Sequence, residues 1–157
     1  MKLAEALAAR ADATRKVAQL RARIKANATY QEGETPAEDV NALLGEAATT
    51  LDELETLMCR INRTNSAVRL TDGHTLTDAL AKRDASRLRY ALLTEAAEAG
   101  SGQKTAGWGR QLRSELRTET DLDVTGLRRQ ADQVALELRQ LDLQIQEANW
   151  QVTLIED

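Results

Sequence analysis

Asn62, Asn65, Arg69, Arg83, Asp84 and Arg87 are the residues whose types and spacing could do chemistry. Asn62, Asn65 and Arg69 follow one another at three and four residues, so on a helix they share one side. Arg83 and Arg87 are four apart, a spacing that lets two planar guanidinium forks hold a phosphate or carboxylate. Asp84 sits between them. The same six residues have a structural reading. Charges at a packed surface need partners, and a belt linking Asn62 and Asn65 to Arg83 and Arg87 would supply them. That belt is the favoured reading. A small-ligand or anion pocket, or an enzyme's polar layer, is the alternative.

Other candidates carry less. The Gly100-Ser101-Gly102-Gln103-Lys104-Thr105 run imitates a phosphate loop. It lacks the Gly directly before Lys-Thr, and a helix rather than a strand precedes it. The chain has one His and one Cys, His74 and Cys59. No His is left to activate a nucleophile in a triad, and no Cys or His cluster can hold a metal. Glu32, Glu34, Glu38 and Asp39 are acidic but lack the alternating spacing of a calcium loop, and read as a solvated linker. Gln146, Asn149 and Trp150 close the last helix. Trp is enriched at interface anchors, so these three either cap the bundle or meet another subunit. No catalytic residue, metal site or cofactor is assigned.

These residues must be positioned by helices. Ala, Glu, Lys, Leu and Arg make up 84 of the 157 residues, or 54%, and Phe is absent. That composition marks long helices when a heptad rhythm accompanies it. The rhythm predicts helices over residues 2–29, 36–69, 76–98 and 124–152, within a single domain spanning 1–157. In the first, Leu3, Leu7, Val17, Leu20 and Ile24 form the stripe. In the second, Leu44, Leu51, Met58 and Asn65 fall at heptad a, and Ala47, Leu54, Ile61 and Val68 at d. Thr35 and Pro36 are its expected cap and first residue.

The third helix, after the Asp72-Gly73 turn, is striped by Leu76, Ala79, Leu80, Leu88, Ala91 and Leu92, with Arg83, Asp84 and Arg87 interrupting. The short turn makes helices two and three antiparallel neighbours. In the fourth, capped by Asp123, all eight seam positions are apolar, with Leu127, Val134, Leu141 and Ala148 at d and Ala131, Leu138, Ile145 and Val152 at a. Residues 99–123 form a Gly-rich loop or arm. Within it, residues 110–122 fit a helical turn, or less well a short strand or β-hairpin. The fold class is all-α: four long, antiparallel, coiled-coil-like helices.

The net charge of −4 is interspersed, with no basic block for nucleic acid. No apolar stretch approaches the ~20 residues needed to cross a bilayer. Glu5, Arg10 and Asp12 interrupt any signal-peptide core, so the expected compartment is the cytoplasm.

The opening MKLAEALAARADA, RINRTN at 60–65, DGHTLTDALAKRD at 72–84, LRRQAD at 127–132 and IQEANW at 145–150 together resemble the septicolysin-like bacterial proteins. The resemblance spans nearly the whole chain and is weakest over 99–118. It implies a helical, oligomeric protein of uncertain function. The family name implies haemolysis. Against that, the chain shows no spanning segment and no amphipathic helix studded with Trp and Lys for entering lipid. The expected function is therefore a non-catalytic helical bundle. It associates with itself through its heptad seams, as a homodimer or a higher ring such as a hexamer.

Overall fold

The computed structural model describes residues 1–102 and 119–156. It holds four helices: α1 (Leu3–Asn27), α2 (Val40–Ala67), α3 (Leu76–Gly100) and α4 (Val124–Gln151). No sheet is present among the described residues; two isolated β-bridges are. The fold is all-α, as the composition predicts. Contacts divide the chain into two compact units: Met1–Thr77 with Glu147–Asp157, and Asp78–Gln146.

In the first unit, α1 and α2 pack as an antiparallel hairpin. The Arg23 guanidinium forks onto the Glu38 carboxylate, and Lys16 Nζ meets Glu46 at 2.9 Å. Gly33 turns the chain between the helices at φ +88°, a conformation glycine adopts without a Cβ penalty. α2 starts four residues later than the Thr35-Pro36 signal predicts. The cap is Asp39, whose carboxylate accepts the amides of Asn41 (2.9 Å) and Ala42 (3.3 Å). A carboxylate satisfies two of the orphan amides of the first turn and suits the positive helix end. Two of the four residues assigned to a solvated acidic linker thus have structural roles: Asp39 caps α2 and Glu38 ties it to α1.

The inner side of α2 is the row Leu43, Ala47, Thr50, Leu54, Leu57, Ile61, Thr64 and Val68, all buried or half-buried. The d positions are as predicted. Their partners are not the a row but the residues one place earlier, and two of these are threonines. Thr50 and Thr64 enter the core because their hydroxyls donate to the carbonyls of Glu46 and Arg60, both at 2.8 Å. That back-bonding hides the polar group on the helix itself.

The segment after α4 completes this unit. The amide of Leu3 donates to Val152 O (3.0 Å), and that of Leu154 to Met1 O (2.9 Å). Lys2 Nζ donates to Gln151 O at 2.7 Å. The amide of Ile155 donates to Thr64 Oγ1 at 3.0 Å. Leu3, Ala6, Ile61, Thr64, Leu76 and Leu154 are buried there. The Asp72-Gly73 turn forms as predicted. Gly73 takes φ +83°, and Asp72 Oδ1 accepts the amide of His74 at 3.1 Å.

In the second unit, α4 is capped by Asp123, whose Oδ1 accepts the amide of Gly126 at 2.9 Å. Its predicted seam is the inner row: Ala131, Leu141 and Ile145 are buried, and Leu127, Val134 and Leu138 half-buried. α3 departs from its predicted stripe. Its inner row runs from Ala79 through Arg83 and Ser86 to Leu93, Thr94, Ala97 and Gly100, and leaves Leu88, Ala91 and Leu92 exposed. Past Leu93 the row is Thr94, Ala97 and Gly100, small residues that permit close approach. A Cβ on Gly100 would lie 2.8 Å from Val124 Cγ2. α3 therefore runs through Gly100, past its expected end. Residues 119–122 form no helix or strand. Residues 103–118, which include most of the expected arm and of the phosphate-loop imitation, lie outside the described residues.

Candidate functional site

The six candidate polar residues fall in different surroundings. Asn62 is exposed and Asn65 half-buried on α2, in the first unit. Arg69 follows α2, and its Nη1 donates to Gly73 O at 2.8 Å, buttressing the turn. Arg83, Asp84 and Arg87 belong to the second unit. Arg83 is half-buried on the inner row and pairs with the neighbouring Asp84 at 3.1 Å. Arg87 reaches Asp142 of α4 at 3.6 Å. Both arginines thus take carboxylate partners within their own unit, and neither fork is free to close on an anion without giving up that pair. Among the described residues no group of His, Cys, Asp and Glu is placed to hold a metal ion. No described helix is long and apolar enough to cross a membrane.

Gln146 is exposed and Asn149 half-buried. Trp150 stands 69% exposed, so it does not cap the chain's own core. His74 is exposed at the turn and Cys59 is an exposed free thiol.

The feature that emerges instead is the a row of α2. Leu44, Leu51 and Met58 remain 51%, 48% and 45% exposed, at seven-residue intervals along one helix. Burial within the chain uses the adjacent rows, and this one is left at the surface. Sequence reasoning identified the row as part of the heptad seams through which the chain is expected to associate with itself, without separating it from the row that the chain buries. The displaced partners were Thr50 and Thr64, whose burial a hydrophobic pattern does not register.

Charge surrounds the row unevenly. Asp52, Glu53 and Glu55 lie in its middle, and Arg60 and Arg63 follow. Asp52, Glu55, Arg60 and Arg63 border one open depression, shared with Cys59 and with Glu156 of the final segment. Toward the start of α2 the carboxylates are engaged. Arg23 hydrogen-bonds Glu38 and lowers its pKa, the guanidinium being raised in turn; the pKa of Glu46 is lowered by its bond to Lys16.

Residues 10–154 match the model of a family of unknown function, DUF6847. The chain belongs to this family. A crystal structure described as that of a functionally unknown conserved protein from Corynebacterium diphtheriae is similar to this DUF6847 member. The two share 38% sequence identity over 99% of each chain, with a TM-score of 0.89. No curated protein matches the chain.

Proposed function

We propose that this DUF6847 member is a non-catalytic cytoplasmic protein that associates with itself through the α2 face carrying Leu44, Leu51 and Met58. One observation carries the reading: a heptad-spaced apolar row on a long helix stands half-exposed beside a row the chain buries for itself. A second copy is the simplest cover for such a seam. Covering the exposed half of each side chain contributes roughly 1 kcal/mol. Association costs about 4–15 kcal/mol in lost freedom, so the contact must also recruit the polar residues beside the row. The product is a homodimer or a higher symmetric ring such as a hexamer.

Light scattering on the full chain tests this. The wild type is expected above its 17.3 kDa monomer mass at micromolar concentration, and Leu51→Glu is expected at that mass with unchanged helicity. A wild type that stays monomeric would sink the proposal. Release of dye from liposomes by the purified protein would replace it with the lytic role that the septicolysin resemblance implies.

A further inference from the structure

A second row of exposed leucines stands on α4. Leu136 and Leu143 are seven residues apart and remain 43% and 67% exposed. They lie on the side of α4 away from its inner row of Ala131, Leu138, Leu141 and Ile145. Their spacing matches that of Leu44, Leu51 and Met58 on α2. Pairing of the α2 face with itself would leave both leucines in water.

The charges beside the two rows differ in sign. At about 100° per residue, Glu55 lies within about 60° of the α2 row and Asp52 lies at its edge. Arg63 falls beyond that edge and Arg60 on the far side of the helix, so α2 itself brings no base to this side. From α1, Lys16 and Arg23 are already held by Glu46 and Glu38. Against a copy of itself the α2 face therefore sets acid on acid, which opposes contact. On α4 the charge that stands between Leu136 and Leu143 on their side is Arg139, with Glu137 and Asp142 turned to the flanks. Asp142 is engaged by Arg87. Among the described residues neither Arg139 nor Glu55 forms an ion pair. Beyond the two leucines the signs mix, with Asp132 and Glu147 against Arg128 and Arg129.

Resting on the self-association proposed above, we infer that the α2 face of one copy is covered by the α4 face of another. Leu44, Leu51 and Met58 then meet a row of the same repeat, and the acidic border of one face meets the arginine of the other. One kind of contact covers both exposed rows. A two-fold pair makes that contact twice, and a ring makes it once between successive copies.

The test uses two variants of the full chain, Leu51→Glu on the α2 face and Leu143→Glu on the α4 face. Sedimentation equilibrium measures each alone and an equimolar mixture, with circular dichroism checking that helicity is unchanged. Each alone is expected to self-associate at least about tenfold more weakly than the wild type, since every contact then has one spoiled half. The mixture is expected to form one-to-one pairs. In it the intact α2 face of the Leu143→Glu chain meets the intact α4 face of the Leu51→Glu chain. A Leu143→Glu chain that associates as tightly as the wild type or stops at a stable dimer, or a mixture no tighter than its components, overturns the pairing of α2 with α4.

A second pair of variants does not depend on an added charge being tolerated. Leu51→Ala and Leu143→Ala keep high helix propensity at exposed positions and remove only apolar cover. Each alone should associate about fivefold more weakly than the wild type, and their mixture should associate more tightly than either. A mixture weakened as much as its components would leave self-association standing and remove the contact between α2 and α4. A monomeric wild type would instead remove the self-association on which the inference rests.

Discussion

Thr50 and Thr64 occupy equivalent places two heptads apart on the inner row of α2, yet their hydroxyls do different work. Each donates to the carbonyl four residues back, but only Thr64 also accepts an amide, that of Ile155. Thr64→Val therefore orphans a donor, at a cost of about 1–3 kcal/mol, whereas Thr50→Val removes a group that only back-bonds and should stay within about 0.5 kcal/mol of the wild type. Urea unfolding of the two variants compares them directly. The carboxylates on α2 make a second prediction at this scale. Glu38 and Glu46 have pKa values lowered by Arg23 and Lys16. A carboxylate lowered in the folded state adds stability that is present above its unfolded pKa and is lost as pH falls through the folded one. The melting temperature should therefore drop on acidification through the carboxylate range. The Glu38→Gln, Glu46→Gln double variant should lose less of it over the same range.

At the scale of elements, two glycines give opposite expectations. Gly45 lies inside α2 with nothing near the position of a Cβ, so Gly45→Ala should stabilise the protein by about 0.5–1 kcal/mol through helix propensity. Gly100 sits where α3 meets the start of α4, and a Cβ there would press on Val124. Gly100→Ala should cost roughly 1–3 kcal/mol, as overpacking does. Thermal melts of both variants check the pair. The helices themselves were legible in the sequence, because spacing alone separates four apolar rhythms. α4 was legible in detail, since every seam position is apolar and every one turns inward. α2 was half legible: its d row was right, but the threonines that complete the inner row look polar until their back-bonds are seen. α3 was misread past Arg83, where a half-buried arginine and small residues carry the inner row while two leucines face outward. The start of α2 was misplaced because Thr35-Pro36 and Asp39 are both good caps, and only the fold shows which amides lack partners. The candidate polar residues were legible as residues but not as pairs. Arg87 finds Asp142, 55 positions away in sequence, and helical spacing says nothing about such a contact.

At the scale of the molecule, the first unit depends on the segment that follows α4, far from α1 and α2 in sequence. Residues 152–155 bridge Met1, Leu3 and Thr64 and bury Leu154. A chain ending at Gln151 should keep its α1–α2 hairpin. Amide exchange should speed up near Leu3 and Thr64 in that chain, while the ion pairs around Glu38 and Glu46 protect the opposite end. Local contacts form quickly and distant ones slowly. During synthesis the hairpin can form as soon as α2 has emerged, but the seat of Leu3 stays unfilled until the last of these residues leaves the ribosome. Leu3, wholly buried in the folded protein, is thus made early and covered late.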